Sequence, residues 1–194
     1  TTRWDALSCY GVLEDVTPEL DRIATESVVY DAAHTVAPIT LPAHASMLTG
    51  LYPPRHGIRD NGFQPLSSAA DTVAEAARDA GHQTAAFVAS TVLDRAFGLD
   101  QGFDVFRAPE RKGGKATTHY TDRVAPDVVE EAVAWLHERD RARPFFLWVH
   151  LFDPHHPYRA PAEYTARFDH PYTAEVAYTD ACVGRLLEAV KKAG

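Results

Sequence analysis

The chain has 194 residues with a net charge of −8 at pH 7, and 45% of its residues are hydrophobic and 24% charged. This balance is near the norm for globular proteins and predicts one domain of ordinary size, or a large part of a bigger one. The acidic charge argues against nucleic-acid binding, no apolar run approaches the roughly 18 residues of a membrane span, and two cysteines are too few for a disulfide framework or a set of zinc fingers.

Helix-boundary residues and short apolar runs predict an alternation of helices and strands. Threonine or aspartate before a segment of helical periodicity, proline in its first turn and glycine after it mark helix ends. Short apolar runs indicate buried strands. In chain order the predicted elements are a helix from 17, a strand over 28–30, helices over 40–50 and 71–81, a strand over 84–88, a helix over 124–138, a strand over 145–152 and a helix over 173–192. Residues 107–119, nearly free of apolar side chains, are predicted to form a surface loop.

The strand pattern predicts the fold class. The runs at 84–88 and 145–152 are apolar without alternation, as expected when both faces of a strand are covered. Alternating helices and buried strands are typical of a layered α/β domain with a mostly parallel central sheet. In such sheets ligands bind beyond the carboxyl ends of the strands. This rule directs attention to Thr40, which follows the run at 28–30, and to His150, at the end of the apolar stretch FFLWV.

The segment TLPAHASMLTG (40–50) places a hydroxyl at the start of a predicted helix. Pro42 fits the first helical turn, so Thr40 is expected at or just before the helix N-terminus. Free N–H groups and the helix dipole favour an anion there, and a hydroxyl at that point can attack phosphorus or sulfur if its proton is removed or it is coordinated. A plain N-cap threonine is the alternative, and spacing alone leaves both open.

Two further segments carry polar side chains in loops. HLFDPHHPY (150–158) follows the strongest strand and holds His155 between prolines, which suits a rigid site loop or a structural turn with exposed histidines. PPRHGIRDNG (53–62) offers Arg59 and Asn61, whose guanidinium and amide groups can bind oxyanions. The alternative for this second segment is a solvated basic loop that ends in a turn.

Taken together and in order, the segments carry a family resemblance. They are TRWDALSCYG (2–11), TPELDRIATESVVYDAAHTVAPIT (17–40), TLPAHASMLTGLYPPRHGIRDN (40–61), AGHQTAAF (80–87), QGFD (101–104) and PFFLWVHLFDPHHPY (144–158). This collinear set resembles the sulfatase family, within the alkaline phosphatase superfamily. The resemblance covers nearly the whole chain and implies an α/β sandwich around a large sheet, with a metal-assisted site at its carboxyl edge.

The chain departs from the family pattern at the signature helix. The sulfatase signature begins with Cys or Ser, which is converted to formylglycine, whereas this chain has Thr40, and the family's arginine position is His44. The family's Lys-x-His pair falls at Ala89 and Thr91. Related phosphodiesterases and phosphoethanolamine transferases use an unmodified threonine bound to metal. The resemblance therefore implies an unmodified Thr40 as nucleophile, and a phosphoester substrate in preference to a sulfoester.

The remaining site residues follow from the same resemblance. His155 of the D-P-H-x-P-Y loop would contact the oxygens of the transferred group or the leaving group. His44, Asn61, Arg59 and His150 are candidates for contact with the substrate or its oxyanion, and His44 and Asn61 are alternatively candidates for orienting the nucleophile. The implied substrates are small-molecule, glycan or lipid esters of sulfate or phosphate; neither nucleic acid nor a membrane span is expected in this chain.

The resemblance also predicts the extent of the domain. The family's first metal-binding Asp would precede Thr1 and its Asp-His-Gly ligands would follow Gly194, so residues 1–194 are expected to be the N-terminal portion of one sulfatase-like catalytic domain, without its first strand and C-terminal portion. A divalent metal (calcium, zinc or manganese) is expected in the full-length protein, with Thr40 as the ligand from this chain. The fragment alone is expected to be inactive and to lack most of the metal cage.

Three functions fit these expectations. The first is a metal-dependent hydrolase of sulfate or phosphate esters. The second is a non-catalytic binding domain that keeps the fold with an eroded site, which the changes at His44, Ala89 and Thr91 would suit. The third is a phosphoethanolamine-type transferase acting on lipid head groups.

Overall fold

The computed structural model describes residues 2–62, 64–109 and 122–194. Its helices are α1 (Pro18–Ala24), α2 (Thr40–Thr49), α3 (Pro53–His56), α4 (Val73–Asp79), α5 (Ala125–Glu138), α6 (Ala162–Thr165) and α7 (Pro171–Ala193), and its strands are β1 (Gln83–Val88), β2 (Val105–Arg107) and β3 (Phe145–His150). The chain divides into two compact units. We call His34–Arg123 with Glu138–His150 the sheet unit, and Thr1–Ala33 with Val124–His137 and Leu151–Gly194 the helical unit.

The sheet unit contains a parallel three-stranded sheet in the order β2-β1-β3. The central strand β1 pairs with both neighbours, with Ala86 opposite Phe106 on one side and Trp148 on the other. Residues 84–88 are all buried, as their unbroken apolar pattern predicts. Helices and parallel strands in alternation confirm the predicted α/β class.

An apolar cluster lies in the core of the sheet unit. It joins α2, the segment after α3, α4, the sheet and the turns between β1 and β2, with members that include Leu41, Ile58, Ala74, Val88 and Leu99. The backbone approaches α4 closely at Gly102, where φ is +86° and an added Cβ would lie 2.2 Å from a backbone nitrogen of that helix. Only glycine fits this position, because it lacks the Cβ and tolerates a positive φ.

The helical unit is built around the long helix α7. Small clusters of buried side chains lie along it, one around Val176 and Ala177 and another around Cys182. Asp180 of α7 accepts the backbone N–H groups of Glu19 and Leu20 at 2.9 and 3.0 Å, and so caps α1 from another helix. Thr17, although it occupies the N-cap position of α1, makes no capping bond with its side chain.

Several predicted elements need correction. Residues 28–30 form no strand, and Val28 is 78% exposed, because the run has no partner strand within the described ranges. The helix predicted from 71 begins at Val73 after a capping box formed by Thr72 and Glu75. The strand predicted over 145–152 ends at His150, and its six residues are half-buried rather than covered on both faces.

The other helix predictions are confirmed within one or two residues: those over 40–50, 124–138 and 173–192 correspond to α2, α5 and α7. Residues 110–119 of the predicted surface loop lie outside the described residues. No helix in the described part of the chain is long and apolar enough to cross a membrane.

Candidate active site

Thr40 is the first helical residue of α2 and not its cap. The N-cap residue is Ile39, whose backbone is extended (φ −123°, ψ 152°) and whose side chain makes no capping hydrogen bond. The alternative of a plain N-cap threonine is therefore wrong, because the cap position lies one residue earlier. The helix ends at Gly50 in the left-handed conformation (φ +69°), as the sequence predicts.

The start of α2 is capped by a side chain from a distant loop. The Leu41 N–H donates to Oδ1 of Asn61 over 2.8 Å. Pro42 has no N–H group, so among the first three positions of the helix Thr40 alone keeps an N–H without an acceptor within the residues that the structure describes. An anion at this helix start would therefore have one backbone N–H donor, that of Thr40, together with the helix dipole.

The capping bond also orients the Asn61 side chain. Because Oδ1 accepts from Leu41, the Nδ2 amine must point away from that N–H, and it carries two donors. Asn61 is half-buried. Its side-chain amide therefore caps α2 through Oδ1 and keeps two N–H donors on Nδ2. Arg59, two residues earlier in the loop, is exposed.

His44 lies one turn along α2 from Thr40 and is bonded to it. Its Nδ1 is 2.7 Å from the Thr40 carbonyl oxygen. A carbonyl only accepts, so Nδ1 must carry the proton, and in the neutral ring Nε2 holds the lone pair. Burial lowers the pKa of His44, which favours that neutral form.

His150, at the carboxyl end of β3, packs against His44. The two imidazole rings meet edge to face with centroids 4.9 Å apart, and Trp148 lies on the same strand with its ring 5.7 Å from that of His44. Burial, and then the proximity of His44, lower the pKa of His150 to about 3. Its Nδ1 is buried and finds no hydrogen-bond partner in the described ranges. The ring is therefore neutral at physiological pH.

A buried histidine, His56, holds the Asn61 loop against α2. Nδ1 of His56 accepts the Ile58 N–H at 3.1 Å, so Nε2 carries the proton and donates to Oγ of Ser46 in α2 at 2.9 Å. His56 is only 7% exposed. This pair fixes the backbone immediately before Asn61, and nothing in the local sequence pattern predicted it.

Replacing His56 by Asn is expected to lower the free energy of unfolding by about 1–3 kcal/mol at pH 8, because the Ser46 contact is lost in a buried site. Burial also lowers the pKa of His56 below its unfolded value. The unfolded state therefore binds a proton first as pH falls below about 6.5, and this part of the stability is lost by up to about 1.4 kcal/mol per pH unit.

Urea unfolding between pH 8 and pH 5 measures both effects. The difference between wild type and His56→Asn should shrink as the pH falls, because the variant lacks the proton uptake. His34, which is exposed, provides the matched control: His34→Asn should change the stability by less than about 0.5 kcal/mol at either pH. A wild-type advantage that stays constant with pH would contradict the assignment of His56.

His155 belongs to the helical unit and is exposed. Its ring stacks on Phe152 with centroids 4.2 Å apart, and its Nδ1 lies 2.8 Å from the carbonyl oxygen of His156. Nδ1 therefore donates, and Nε2 is the nitrogen left for other partners. The loop backbone thus sets the orientation of this side chain.

The structure brings four of the predicted site residues together. Thr40, His44 and Asn61 surround the start of α2, and His150 joins them through its contact with His44. Within the described ranges, no group of three His, Cys, Asp or Glu side chains is placed to hold a metal ion. Thr40 can supply one oxygen ligand, so these residues do not by themselves form a metal cage.

Comparisons with known proteins identify relatives. The chain matches the family described as Sulfatase over residues 1–194. It is 27% identical over 159 residues to an N-acetylglucosamine-6-O-sulfatase of Bacteroides thetaiotaomicron, a match that covers 77% of this chain and 28% of that protein.

Two solved structures are similar in fold. The phosphonate monoester hydrolase of Agrobacterium radiobacter superposes with a TM-score of 0.78 at 20% identity, over 98% of this chain and 57% of that one. The C-terminal periplasmic domain of EcEptC from Escherichia coli, in complex with Zn, superposes with a TM-score of 0.73 at 20% identity, over 99% of this chain and 57% of that one.

The chain thus spans a little more than a quarter of the curated relative and just over half of each solved chain. The solved structures share its fold, and the family match extends along its whole length. The chain belongs to the sulfatase family.

Proposed function

We propose that this chain carries the nucleophile of an ester hydrolase, with Thr40 as the attacking residue. The observation that carries the proposal is the position of Thr40 as the first residue of α2, where capping is done by Asn61 and not by the Thr40 hydroxyl. The helix dipole at this point stabilises negative charge on a transferred group. In the reaction, the hydroxyl oxygen bonds to sulfur or phosphorus as the bond from that atom to the ester oxygen breaks, the hydroxyl proton passes to solvent or to the departing oxygen, and water then hydrolyses the ester on Thr40.

The tautomer of His44 favours one of its two candidate roles. With Nδ1–H committed to the Thr40 carbonyl, the neutral ring offers a lone pair at Nε2 and has no proton there to give to an oxyanion. We therefore assign His44 to orienting the nucleophile. Asn61 keeps two donors on Nδ2 and is assigned to the oxyanion.

His155, His150 and Arg59 complete the proposal. For His155 we retain the role that the family resemblance implies, at the transferred group or the leaving oxygen. His150 packs against His44 and supports its ring, so we assign it to positioning. Arg59 is exposed and basic, and is retained as a candidate contact for an anionic substrate.

We further propose that residues 1–194 are the N-terminal portion of one catalytic domain and that the full-length protein binds a divalent metal. The partial coverage of relatives supports the first point, and the Zn complex of EcEptC supports the second. Thr40 would be one ligand, with the others outside this chain. When bound, such a metal neutralises charge on the transferred group and lowers the pKa of a coordinated hydroxyl. We expect activity from the full-length protein and none from residues 1–194 alone.

Among substrates we favour a phosphate ester over a sulfate ester. Threonine at position 40 takes the place of the residue that sulfatases convert to formylglycine, and the structural relative from Agrobacterium radiobacter is a phosphonate monoester hydrolase. The sulfatase from Bacteroides thetaiotaomicron supports the other ester. A sugar or lipid can carry either group, and a phosphoethanolamine-type transferase would share the same nucleophile.

Mass spectrometry of the full-length protein, acid-quenched during turnover of matched p-nitrophenyl phosphate and p-nitrophenyl sulfate, tests the proposal. We expect a phosphoryl group on the peptide that contains Thr40 with the first ester, and release of nitrophenol that requires divalent metal. A sulfuryl adduct would reverse the choice of ester. Failure to turn over either compound, together with their reversible binding, would instead favour the non-catalytic binding domain.

A further inference from the structure

Two carboxyl groups of the helical unit anchor the loop that carries His155. At the start of the loop, Oδ2 of Asp153 accepts the N–H of Ala125, the first residue of α5, at 2.8 Å. At its end, the N–H of Arg159 donates to Oε2 of Glu175 in α7 at 2.6 Å. Residues 153–159 are thus tied at both ends to helices of the same unit.

The two anchors also bond to each other. The side chains of Glu175 and Asp153 are hydrogen-bonded, and Glu175 is 2% exposed. Ionised carboxylates only accept hydrogen bonds, so a bond between two of them requires one proton on the pair. Burial first, and then contact with Asp153, raise the pKa of Glu175 to about 7.

We propose that Asp153 and Glu175 are positioning residues that share one proton, and that this pair holds loop 153–159 in the conformation that presents His155. The proposal rests on the proposed function for the role of His155. It adds a proton on the Asp153–Glu175 pair that takes no part in the reaction. In the part of the chain that the structure describes, the His155 ring contacts Phe152, just before the loop, and the His156 carbonyl, within it, so its placement follows the loop backbone.

The charged surroundings make the pair sensitive to pH. The groups that act on Glu175 are Asp153 and Arg159, and Arg159 opposes the effect of the neighbouring carboxylate. Along α7, the charge of Asp153 raises the pKa of Tyr178 and of Cys182. The charge of Asp127, in α5, also raises the pKa of Tyr178. As the pH rises through about 7, the shared proton is lost and two neighbouring carboxylates, of which Glu175 is buried and Asp153 half-buried, repel each other, so the loop should loosen.

Hydrogen exchange of the full-length protein tests the pair directly. In wild type, protection of the peptide 153–159, corrected for intrinsic exchange, should fall at least about fivefold between pH 6 and pH 9. Glu175→Gln supplies a permanent amide donor and should keep the protection constant across this range. Glu175→Ala should show weak protection at both pH values. Glu163→Gln, at an exposed position in α6, is the matched control and should behave as wild type.

Asp153→Asn provides a second neutral variant that does not depend on the folding of Glu175→Ala. Its amide can donate to Glu175, so it should also remove the pH dependence. The proposal is overturned if wild-type protection is the same at pH 6 and pH 9, or if both neutral variants lose protection as the pH rises.

A double-mutant cycle on activity tests whether the pair acts through His155. Glu175→Ala should lower kcat about tenfold at pH 6 with little change in KM, and should cost nothing further in a His155→Ala background. Additive losses would contradict a positioning role. If no ester is turned over at all, the proposed function fails, but the exchange experiment still decides whether the carboxyl pair holds the loop.

Discussion

Thr40→Ala in the full-length protein should lower kcat by at least about 10⁴-fold toward the preferred ester. The substitution removes the hydroxyl oxygen that forms the covalent intermediate, and this oxygen belongs to the first residue of α2. Steady-state kinetics and the quenched adduct should fail together, because they report the same bond. Full activity in Thr40→Ala would rule out Thr40 as the nucleophile.

The stability of the same variant separates the catalytic role from a capping role. A threonine that capped α2 would cost about 1 kcal/mol when replaced by alanine. Here the Leu41 N–H is capped by Asn61, so Thr40→Ala should change the free energy of unfolding by less than about 0.5 kcal/mol. Thr40→Ser keeps a hydroxyl and should retain part of the activity, which shows that the loss in the alanine variant is chemical.

The helix boundaries of α2 were predictable because their causes are local. Pro42 suits a first turn and Gly50 supplies the left-handed residue that ends the helix, and both lie within the segment itself. The cap was not predictable, because Asn61 reaches Leu41 across 20 positions of the chain and only the folded loop brings it there. A local pattern contains no information about that approach.

The same distinction separates the strand predictions. Residues 84–88 were predicted correctly because an unbroken apolar run favours burial, and here the run forms the central strand of the sheet with a neighbour on each side. Residues 28–30 have a similar composition but form no strand, since a strand exists only with a partner. Composition reports a preference for burial, whereas pairing depends on the rest of the fold.

The sequence predicted part of the candidate site, namely the residues that a local pattern or the rule for parallel sheets can locate. The rule for parallel sheets directs attention to His150 at the carboxyl end of β3, and the structure places its ring against His44. The roles of Thr40 and His155 come from family resemblance and stay predictions. The role of Glu175 was not predicted, because this carboxyl, on the buried side of α7, meets Asp153 only in the folded chain.

Asn61 should be the second most sensitive position, because it has a structural and a catalytic task on opposite atoms. Asn61→Ala removes both: it should lower the free energy of unfolding by about 1 kcal/mol through the lost cap and lower kcat by about 10²–10³-fold through the lost donors. Urea unfolding and steady-state kinetics of the same preparation measure the two effects side by side.

Asn61→Asp tells the two tasks apart. Its carboxylate still accepts the Leu41 N–H and places negative charge at a helix N-terminus, so the stability should be kept or rise by about 0.3–1 kcal/mol. The same carboxylate has no donor for an oxyanion and repels an anionic ester, so kcat should fall at least as far as in Asn61→Ala. A stable Asn61→Asp variant with wild-type activity would mean that Asn61 only caps α2, and that the oxyanion donors of the site lie elsewhere in the full-length protein.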